Sequence, residues 1–210
     1  MSERGQFLYA FLKSPSLYLW VRSLLSNKAT NQRIADELLQ PRRGDKVLDV
    51  GCGPGTLRHF LGEVDYTGVD SNKEHIAIAK KNGFPKDRYL VGNVVNTFTS
   101  HDTTYDLIIL MGILHHLGDL EVQSLLLGLK NLLNRKGRIV TFDGVYLENQ
   151  HPISRFLLDR DAGKNVRTVE GYKELFPKQY FALETRLFND LLKIPYDHFA
   201  AVVTRNDVLS

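Results

Sequence analysis

Cysteine is scarce in this sequence, because Cys52 is the only one in 210 residues. A single thiol excludes a disulfide framework or a cysteine-ligated zinc site within the chain, and it suits a reducing compartment, so we expect a cytoplasmic protein. An excess of one charge is also missing, since 27 Lys and Arg face 24 Asp and Glu, for a formal net charge of +3. So small and dispersed a charge does not indicate a basic surface for nucleic acid, and no nucleic-acid partner is expected.

Long apolar runs are absent as well. Lys13 and Pro15 interrupt the N-terminal apolar residues, so we expect neither a signal peptide nor stable insertion into a membrane. Residues 6–26 do carry Phe, Leu and Tyr at helical spacing, which predicts two short amphipathic helices. Three roles stay open for them: packing on the edge of the domain, a lid over a cofactor, or peripheral contact with a membrane surface.

What the chain does contain is a strand that ends in a glycine-rich turn. The apolar run over residues 46–50 predicts a strand buried on both faces. Directly after it, the chain can turn sharply and present backbone N–H groups to a ligand, because three glycines follow: Gly51, Gly53 and Gly55. This pattern predicts a cofactor site, with a purely structural turn as the alternative.

The spacing of these glycines narrows the choice of cofactor. A dinucleotide fingerprint needs a third glycine three residues after the second, where this chain has Thr56. The stretch VLDVGCGPG instead resembles the first motif of the class I S-adenosylmethionine-dependent methyltransferases. The resemblance implies that S-adenosyl-L-methionine is the cofactor and that residues of this motif bind it: Asp49, Gly51, Cys52, Gly53 and Gly55.

A second predicted strand ends in an acid, Asp70, 19 positions after Gly51. In a doubly wound sheet this carboxylate stands at the end of the neighbouring strand, where it can accept both ribose hydroxyls. Ser71 follows and, with Glu74, resembles a capping box, so we expect Ser71 to begin the next helix beside the cofactor. The alternative role for Asp70 is to cap this same helix.

Two further stretches resemble cofactor motifs of the same family. After a strand at residues 88–91, Asn93 stands where the family often has an acid for the adenine amino group, and the N–H of Val94 would meet the ring. An ordinary Asn turn is the alternative. After a buried strand at residues 105–110, Met111 and Gly112 stand where the family's backbone receives the methionine amino group.

His115 and His116 follow as the only adjacent titratable pair of this segment. Either histidine suits proton transfer near neutral pH, so both are candidate catalytic residues for a hydroxyl acceptor. The alternative is that one of them only caps or supports the local turn. We expect no metal, because no cluster of His and carboxylates shows ligand spacing along the sequence.

The remaining pattern completes an alternating α/β chain. We expect helices at residues 57–61, from the cap at Ser71 to Asn82, at 120–133 and at 168–176, and strands at 138–142, 181–188 and 199–204. Residues 135–137 should end the third of these helices, and Asp143 with Gly144 should turn the chain out of the sheet. The last two strands should form the final pair of the sheet, with one strand antiparallel.

Residues 148–170 lack a clean period and are rich in charged side chains. They predict either a flap over the acceptor, with cations for a carboxylate or phosphate, or a solvated loop. Tyr196 and His198, between the last two strands, could approach the acceptor or simply turn the chain.

These patterns predict one α/β domain with a Rossmann-like, doubly wound, mostly parallel seven-stranded sheet and helices on both faces. Within it we expect N-terminal helices over 1–40, a cofactor-binding core over 41–145 and a substrate-side flap with the final strands over 146–210. The resemblance implies methyl transfer to an O, N or C nucleophile of a small molecule such as a sugar, polyketide, quinone or lipid precursor. An NAD-dependent oxidoreductase and a non-catalytic S-adenosylmethionine-binding protein are the alternatives, and the pattern indicates no oligomeric state.

Overall fold

The computed structural model describes residues 28–92, 103–161 and 163–206. The helices in these ranges are α1 (Lys28–Ile34), α2 (Lys73–Asn82), α3 (Asp119–Leu132), α4 (Pro152–Leu158) and α5 (Val169–Glu174). The strands are β1 (Lys46–Val50), β2 (Asp65–Asp70), β3 (Arg88–Val91), β4 (Tyr105–Met111), β5 (Leu133–Tyr146), β6 (Arg167–Thr168), β7 (Phe181–Phe188) and β8 (His198–Arg205). A π-helical turn, Ala35–Leu39, continues α1, and two 3₁₀ turns span Thr56–Phe60 and Leu114–His116. The predicted helices at residues 6–26 lie outside the described ranges.

The strands form one sheet in the order β3-β2-β1-β4-β5-β8-β7, and the short β6 pairs with β5 beside this path. Strands β1 to β5 are parallel, and β8 runs antiparallel to both β5 and β7. The prediction of a mostly parallel, seven-stranded, doubly wound sheet is therefore confirmed. The strand order reverses between β1 and β4, and in such sheets ligands bind in the crevice outside the carboxyl ends of the strands at this point.

Two apolar cores cover the two faces of the sheet. Leu48 and Val50 of β1 pack in the core that contains α3 and α5, whereas Val47 packs in the core that contains α1 and α2. This division follows from the period of two along a strand, which points successive side chains to opposite faces. The inner side of α3 buries apolar residues at helical spacing: Val122, Leu125, Leu126, Leu129 and Leu132. Helices on both faces are therefore confirmed.

The fifth strand is longer than the sequence predicted, and two expectations were wrong. Helix α3 ends at Leu132, so residues 135–137 lie in β5 and do not end the helix. Asp143 and Gly144 do not leave the sheet, because they pair with Phe199 and His198 of β8. The physical reason is that β8 supplies an antiparallel ladder along this part of β5, and a local pattern cannot reveal a partner from so far along the chain.

Three smaller expectations also need correction. Residues 57–61 were predicted as a helix, but only a 3₁₀ turn forms there. The cap of α2 is Asn72, not Ser71, since Asn72 Oδ1 accepts from the N–H groups of Glu74 at 2.8 Å and His75 at 3.4 Å. Helix α4 was not predicted, although Pro152 at its start and a capping contact from the His151 ring to the N–H of Ile153 are typical of a helix beginning. Among the described helices, none is long and apolar enough to cross a membrane.

Candidate functional site

The glycine-rich turn leaves β1 at the point of strand reversal and is fastened to the end of β2. The N–H groups of Gly51 and Cys52 donate to the carbonyl oxygen of Val69 at 2.7 and 3.1 Å. Gly53 and Gly55 continue the turn with φ angles of +55° and +76°, in the left-handed region. An L side chain would be strained there, so the glycines are what allow the chain to fold over the strand ends.

Gly51 also lets two loops meet. Its φ is +72°, and a Cβ atom at this position would collide with the side chain of Ile113, in the loop after β4. A Cβ at Gly53, by contrast, would meet no atom within 4 Å. The side chain of Ile113 therefore fills the space beside Gly51, on the side of β4. The space beside Gly53 is unfilled, so a ligand can lie against the backbone there.

Asp70 closes the other side of this crevice. Its Oδ2 accepts from the N–H of Gly53 at 2.9 Å, and its Oδ1 accepts from the N–H of Asn72 at 2.7 Å. A carboxylate offers about four acceptor positions, so both oxygens keep capacity for ligand hydroxyls. Ser71 is exposed directly beside it. The structure thus brings Asp70 to the turn, as the sequence predicted.

Asp49 and Cys52 lie inside the protein rather than on the open surface of the crevice. Asp49 is 2% exposed, and its Oδ2 accepts from the Tyr66 hydroxyl at 2.7 Å. Burial raises the pKa of this carboxyl to about 6, against the lowering effect of the Tyr66 hydrogen bond. Burial also raises the pKa of the Cys52 thiol, which keeps it protonated. Both side chains support the turn from within, so any contact of theirs with a cofactor runs through backbone.

The segment after β4 completes the crevice. Met111 ends β4 and packs against the core that contains α1 and α2. The N–H of Gly112 donates to the carbonyl oxygen of Phe142 at 2.7 Å, which ties this segment to β5. Asn93 and Val94, the predicted adenine contacts, lie outside the described residues.

His115 stands between two carboxylates. Its Nδ1 lies 2.7 Å from Oδ1 of Asp143, and its Nε2 lies 3.3 Å from Oδ1 of Asp161. The N–H of His115 also donates to Asp143 Oδ1, at 3.2 Å. Asp143 belongs to β5 and is 1% exposed, whereas Asp161 follows α4. The ring of His116 lies beside that of His115, with the centroids 4.2 Å apart.

These contacts set the charges of the histidine pair. Burial lowers the pKa of His115, but the hydrogen bonds and charges of Asp143 and Asp161 outweigh it and raise the pKa to about 9. For His116, burial and the neighbouring charge of His115 lower the pKa. The pair therefore consists of one buried imidazole clamped by acids and one exposed imidazole.

Asp161 and residues 163–167 are bound to the histidine turn by backbone and side chain. The N–H of Asn165 donates to the carbonyl oxygen of His115 at 3.0 Å. Arg167 donates to the carbonyl oxygens of Leu114 at 3.0 Å and Leu117 at 2.7 Å, and it pairs with Asp119. The guanidinium of Arg167 therefore binds groups of the protein itself. This contact set does not fit the expectation that a cation of residues 148–170 binds an anionic substrate, as far as Arg167 is concerned.

Of Tyr196 and His198, the two candidates near the end of the chain, only Tyr196 contacts the carboxylates around His115. The Tyr196 hydroxyl lies 3.4 Å from Oδ2 of Asp161. His198 is 2% exposed and stacks on Phe142 at 4.4 Å, and burial lowers its pKa to about 3, so it is a neutral core residue. Sequence reasoning missed the role of Asp143, although an acid within the strand next to β4 was a usable signal. Asp161 was covered only by the statement that residues 148–170 are rich in charged side chains.

Comparison with known proteins adds a family match. Residues 47–137 match the family model described as "Methyltransferase domain". Ubiquinone biosynthesis O-methyltransferase of Proteus mirabilis is 35% identical over 82 residues, which cover 36% of this chain and 33% of the relative. The mitochondrial protein of the same name from Rattus norvegicus is 27% identical over 128 residues, which cover 57% and 36%. The chain thus spans about a third of the length of the curated relatives it matches.

Solved structures resemble most of the chain. A TehB-like SAM-dependent methyltransferase from Corynebacterium glutamicum is 25% identical with a TM-score of 0.63, and the match covers 90% of this chain and 97% of that one. The plantazolicin methyltransferase BpumL, solved with a triazolic desmethylPZN analog and SAH, is 16% identical with a TM-score of 0.65, covering 91% and 92%. At that identity the second likeness concerns the fold.

Proposed function

We propose that this chain, whose residues 47–137 form a methyltransferase domain of the class I S-adenosylmethionine-dependent type, transfers a methyl group from S-adenosyl-L-methionine to a small-molecule acceptor. One observation carries the proposal: the glycine turn and Asp70 lie together at the point of strand reversal, where the N–H of Gly53 donates to Asp70 Oδ2. This is where an open α/β sheet binds its ligand.

The cofactor would lie across the two strand ends. Its ribose hydroxyls would donate to Asp70, and its methionine end would lie along the turn toward Met111 and Gly112. Gly53, which faces open space, gives the backbone surface for this approach. Contact of the adenine with Asn93 and Val94 stays a prediction from the sequence.

The reaction needs little covalent chemistry from the protein. A lone pair of the acceptor attacks the methyl carbon, the C–S bond breaks with its electrons passing to sulfur, and S-adenosylhomocysteine leaves. A hydroxyl acceptor also gives up its proton, which passes to a nearby base or to water. The protein mainly holds the two reactants in line and excludes water. His115 and His116, in the turn just after Gly112, lie on the β4 side of the crevice, where that proton would be released.

The acceptor is best sought among hydroxylated aromatic molecules. The curated relatives are named for an O-methyltransferase reaction in ubiquinone biosynthesis, which favours a phenolic oxygen. An ordinary phenol has a pKa of about 10, so at neutral pH it needs help to ionise. His116, which is exposed and whose pKa is lowered by burial and by the charge of His115, is the group of this pair with the right chemistry to take that proton.

Calorimetric titration with S-adenosylhomocysteine tests the proposal. Wild type should bind one molecule per chain, and Asp70→Asn should weaken binding about 10- to 100-fold, because hydrogen bonds to a charged group are lost. Asp65→Asn is the matched control, since Asp65 lies at the other end of β2 and forms an exposed pair with Arg88. It should change affinity less than twofold.

Two outcomes would contradict the proposal. If both variants bound like wild type, the ribose role of Asp70 would be wrong. If NADH bound and S-adenosylhomocysteine did not, methyl transfer itself would have to be abandoned in favour of an oxidoreductase. Circular dichroism of each variant shows whether it is folded.

A further inference from the structure

We propose that His115, His116 and Asp161 form a binding site for a divalent first-row transition-metal ion such as Zn²⁺, with Asp143 holding His115 in the orientation that the site needs. One ligand atom from each of the three residues lies within 4.8 Å of the others. The site itself rests on this geometry alone, whereas the role given to the ion below rests on the proposed function. The sequence could not predict this cluster, because Asp161 comes from a segment far along the chain.

The distance between His115 and Asp161 fits metal ligands. Their Nε2 and Oδ1 atoms lie 3.3 Å apart. That is long for a charge-assisted hydrogen bond, which is about 2.7–2.9 Å. It equals the edge of a tetrahedron whose metal–ligand bonds are about 2.0–2.1 Å, which is about 3.3 Å. The two atoms are already spaced as neighbouring ligands of one ion.

Asp143 supplies the outer support that a metal-bound histidine usually has. Histidine ligands donate their other ring N–H to a carboxylate, which fixes the tautomer and the ring orientation. Nδ1 of His115 lies 2.7 Å from Asp143 Oδ1, so Nδ1 keeps its proton, and an ion that displaced the proton of Nε2 would meet the nitrogen that faces Asp161. Asp143 Oδ2 is buried and has no hydrogen-bond partner among the described residues. A nearby cation would therefore also offset the negative charge on this oxygen.

His116 makes the site open. It is exposed, and its ring lies 4.2 Å from that of His115, centroid to centroid. Two imidazoles and one carboxylate are a donor set for zinc or iron(II) rather than for magnesium, which prefers oxygen. Because three protein ligands leave a fourth position free, the arrangement corresponds to a site that binds a small ligand, not to a closed structural site.

Charge favours a cation here. The carboxylates of Asp143 and Asp161 both face the His115 ring, so a neutral imidazole would leave two negative charges together. A proton on Nε2 compensates one of them, and a divalent ion in its place compensates both. The competing reading is that a protonated His115 only pairs with the two acids and holds the segment 161–167 in place.

The position of the three ligand residues suits an ion that binds the acceptor. A Cβ atom on Gly112 would lie 3.6 Å from His115 Cε1, so the cluster adjoins the β4 side of the cofactor crevice. If methyl transfer occurs there, a hydroxyl of the acceptor can take the free position of the ion. A bound metal lowers the pKa of such an oxygen, which then attacks the methyl carbon after releasing its proton to water.

Zinc titration of the metal-free full chain tests the inference. The protein is dialysed against a chelator, Zn²⁺ binding is measured by calorimetry, and the visible spectrum of the Co²⁺ form reports the ligand set. Wild type should bind one Zn²⁺ per chain. His116→Ala and Asp161→Asn should weaken binding more than tenfold, and Asp143→Asn about 10- to 100-fold, as is usual for an outer-shell partner.

His59→Ala is the matched control. His59 is also an exposed histidine of a 3₁₀ turn, but it packs against Phe84, at a distance from the cluster along the fold. It should bind Zn²⁺ within twofold of wild type. Because His116 is exposed, its variant should stay folded, and circular dichroism checks this.

Failure to bind Zn²⁺, or equal binding by wild type, His116→Ala and Asp161→Asn, would overturn the inference. S-adenosylhomocysteine is titrated into the same metal-free samples and should bind them all within about twofold. A wild type that bound zinc but not this nucleoside would refute the proposed function while leaving the metal site standing. The reverse result would refute only the metal site.

Discussion

The site has two halves that are built in different ways. The glycine half, residues 49–55 with Asp70, is held by backbone hydrogen bonds to the neighbouring strand, as from Gly51 and Cys52 to Val69. The histidine half, residues 112–117 with Asp143, Asp161 and 163–167, is held by side chains that reach across the fold. The first half presents backbone to a ligand, and the second presents titratable groups.

This difference assigns them different tasks. The N–H groups of the turn are bonded within the protein, so this half offers a ligand bare glycine backbone and the spare acceptor positions of one carboxylate, which suits the ribose of a cofactor. A cluster of imidazoles and acids on a separate segment can change without disturbing that recognition. We therefore expect mutations in the glycine half to affect cofactor affinity, and mutations in the histidine half to affect the acceptor step.

Gly51→Ala should have the largest effect. The φ of +72° strains any L residue by about 1–2 kcal/mol, and the collision with Ile113 adds a cost of about 1–3 kcal/mol. We expect a loss of about 3–4 kcal/mol in the free energy of unfolding, measured by urea denaturation, together with loss of S-adenosylhomocysteine binding.

The double variant Gly51→Ala/Ile113→Ala separates the two causes. Removal of the Ile113 side chain should recover the steric part of the loss but not the backbone part. If Gly51→Ala were as stable as wild type, the two loops would not meet as described.

Arg167→Ala comes next and acts on the histidine half alone. It leaves the carbonyl oxygens of Leu114 and Leu117 without their donor, which should cost about 2–3 kcal/mol of unfolding free energy. Amide hydrogen exchange over residues 161–167 should accelerate, while S-adenosylhomocysteine affinity changes less than twofold.

Arg155→Ala serves as the control for this variant. Arg155 forms an exposed pair with Asp159 and lies 4.4 Å over the Tyr146 ring, so its loss should cost about 1 kcal/mol, less than the loss of Arg167. Equal protection of residues 161–167 in Arg167→Ala and wild type would mean that Arg167 does not hold this segment.

Asp49→Asn should have the smallest of these effects, and the effect should depend on pH. The folded-state pKa of about 6 lies above the ordinary value of 3.8, so the folded protein holds this proton more tightly than the unfolded chain. Wild type therefore gains stability as the pH falls from about 6 to about 4, and above pH 6 the buried charge reduces it. Asparagine removes that penalty and still accepts from Tyr66.

Thermal melts at pH 4 and pH 7 measure this difference. The variant should match wild type near pH 4 and exceed it at pH 7 by up to about 2 kcal/mol. A variant that was less stable at pH 7 would show that the carboxylate of Asp49 is stabilised by its surroundings rather than penalised.

The difference between the glycine half and the histidine half also explains how much of the structure the sequence could predict. The glycine turn, the order of parallel strands and the approach of Asp70 follow from local pattern and from the rules of doubly wound sheets, and the structure has them. The length of β5 and the contacts of Asp143, Asp161 and Arg167 depend on partners that come together only in the folded chain. Asn72 took the cap expected of Ser71 because Asp70 binds the N–H of Asn72 and shifts the start of α2 by one residue.

The most direct test of this account is a crystal structure of the chain soaked with S-adenosylhomocysteine. Density for the nucleoside should lie against residues 51–55, with both ribose hydroxyls within hydrogen-bond distance of Asp70 and the homocysteine sulfur on the side of Gly112 and His115. An empty crevice at saturating ligand, or density for the nucleoside elsewhere, would contradict it.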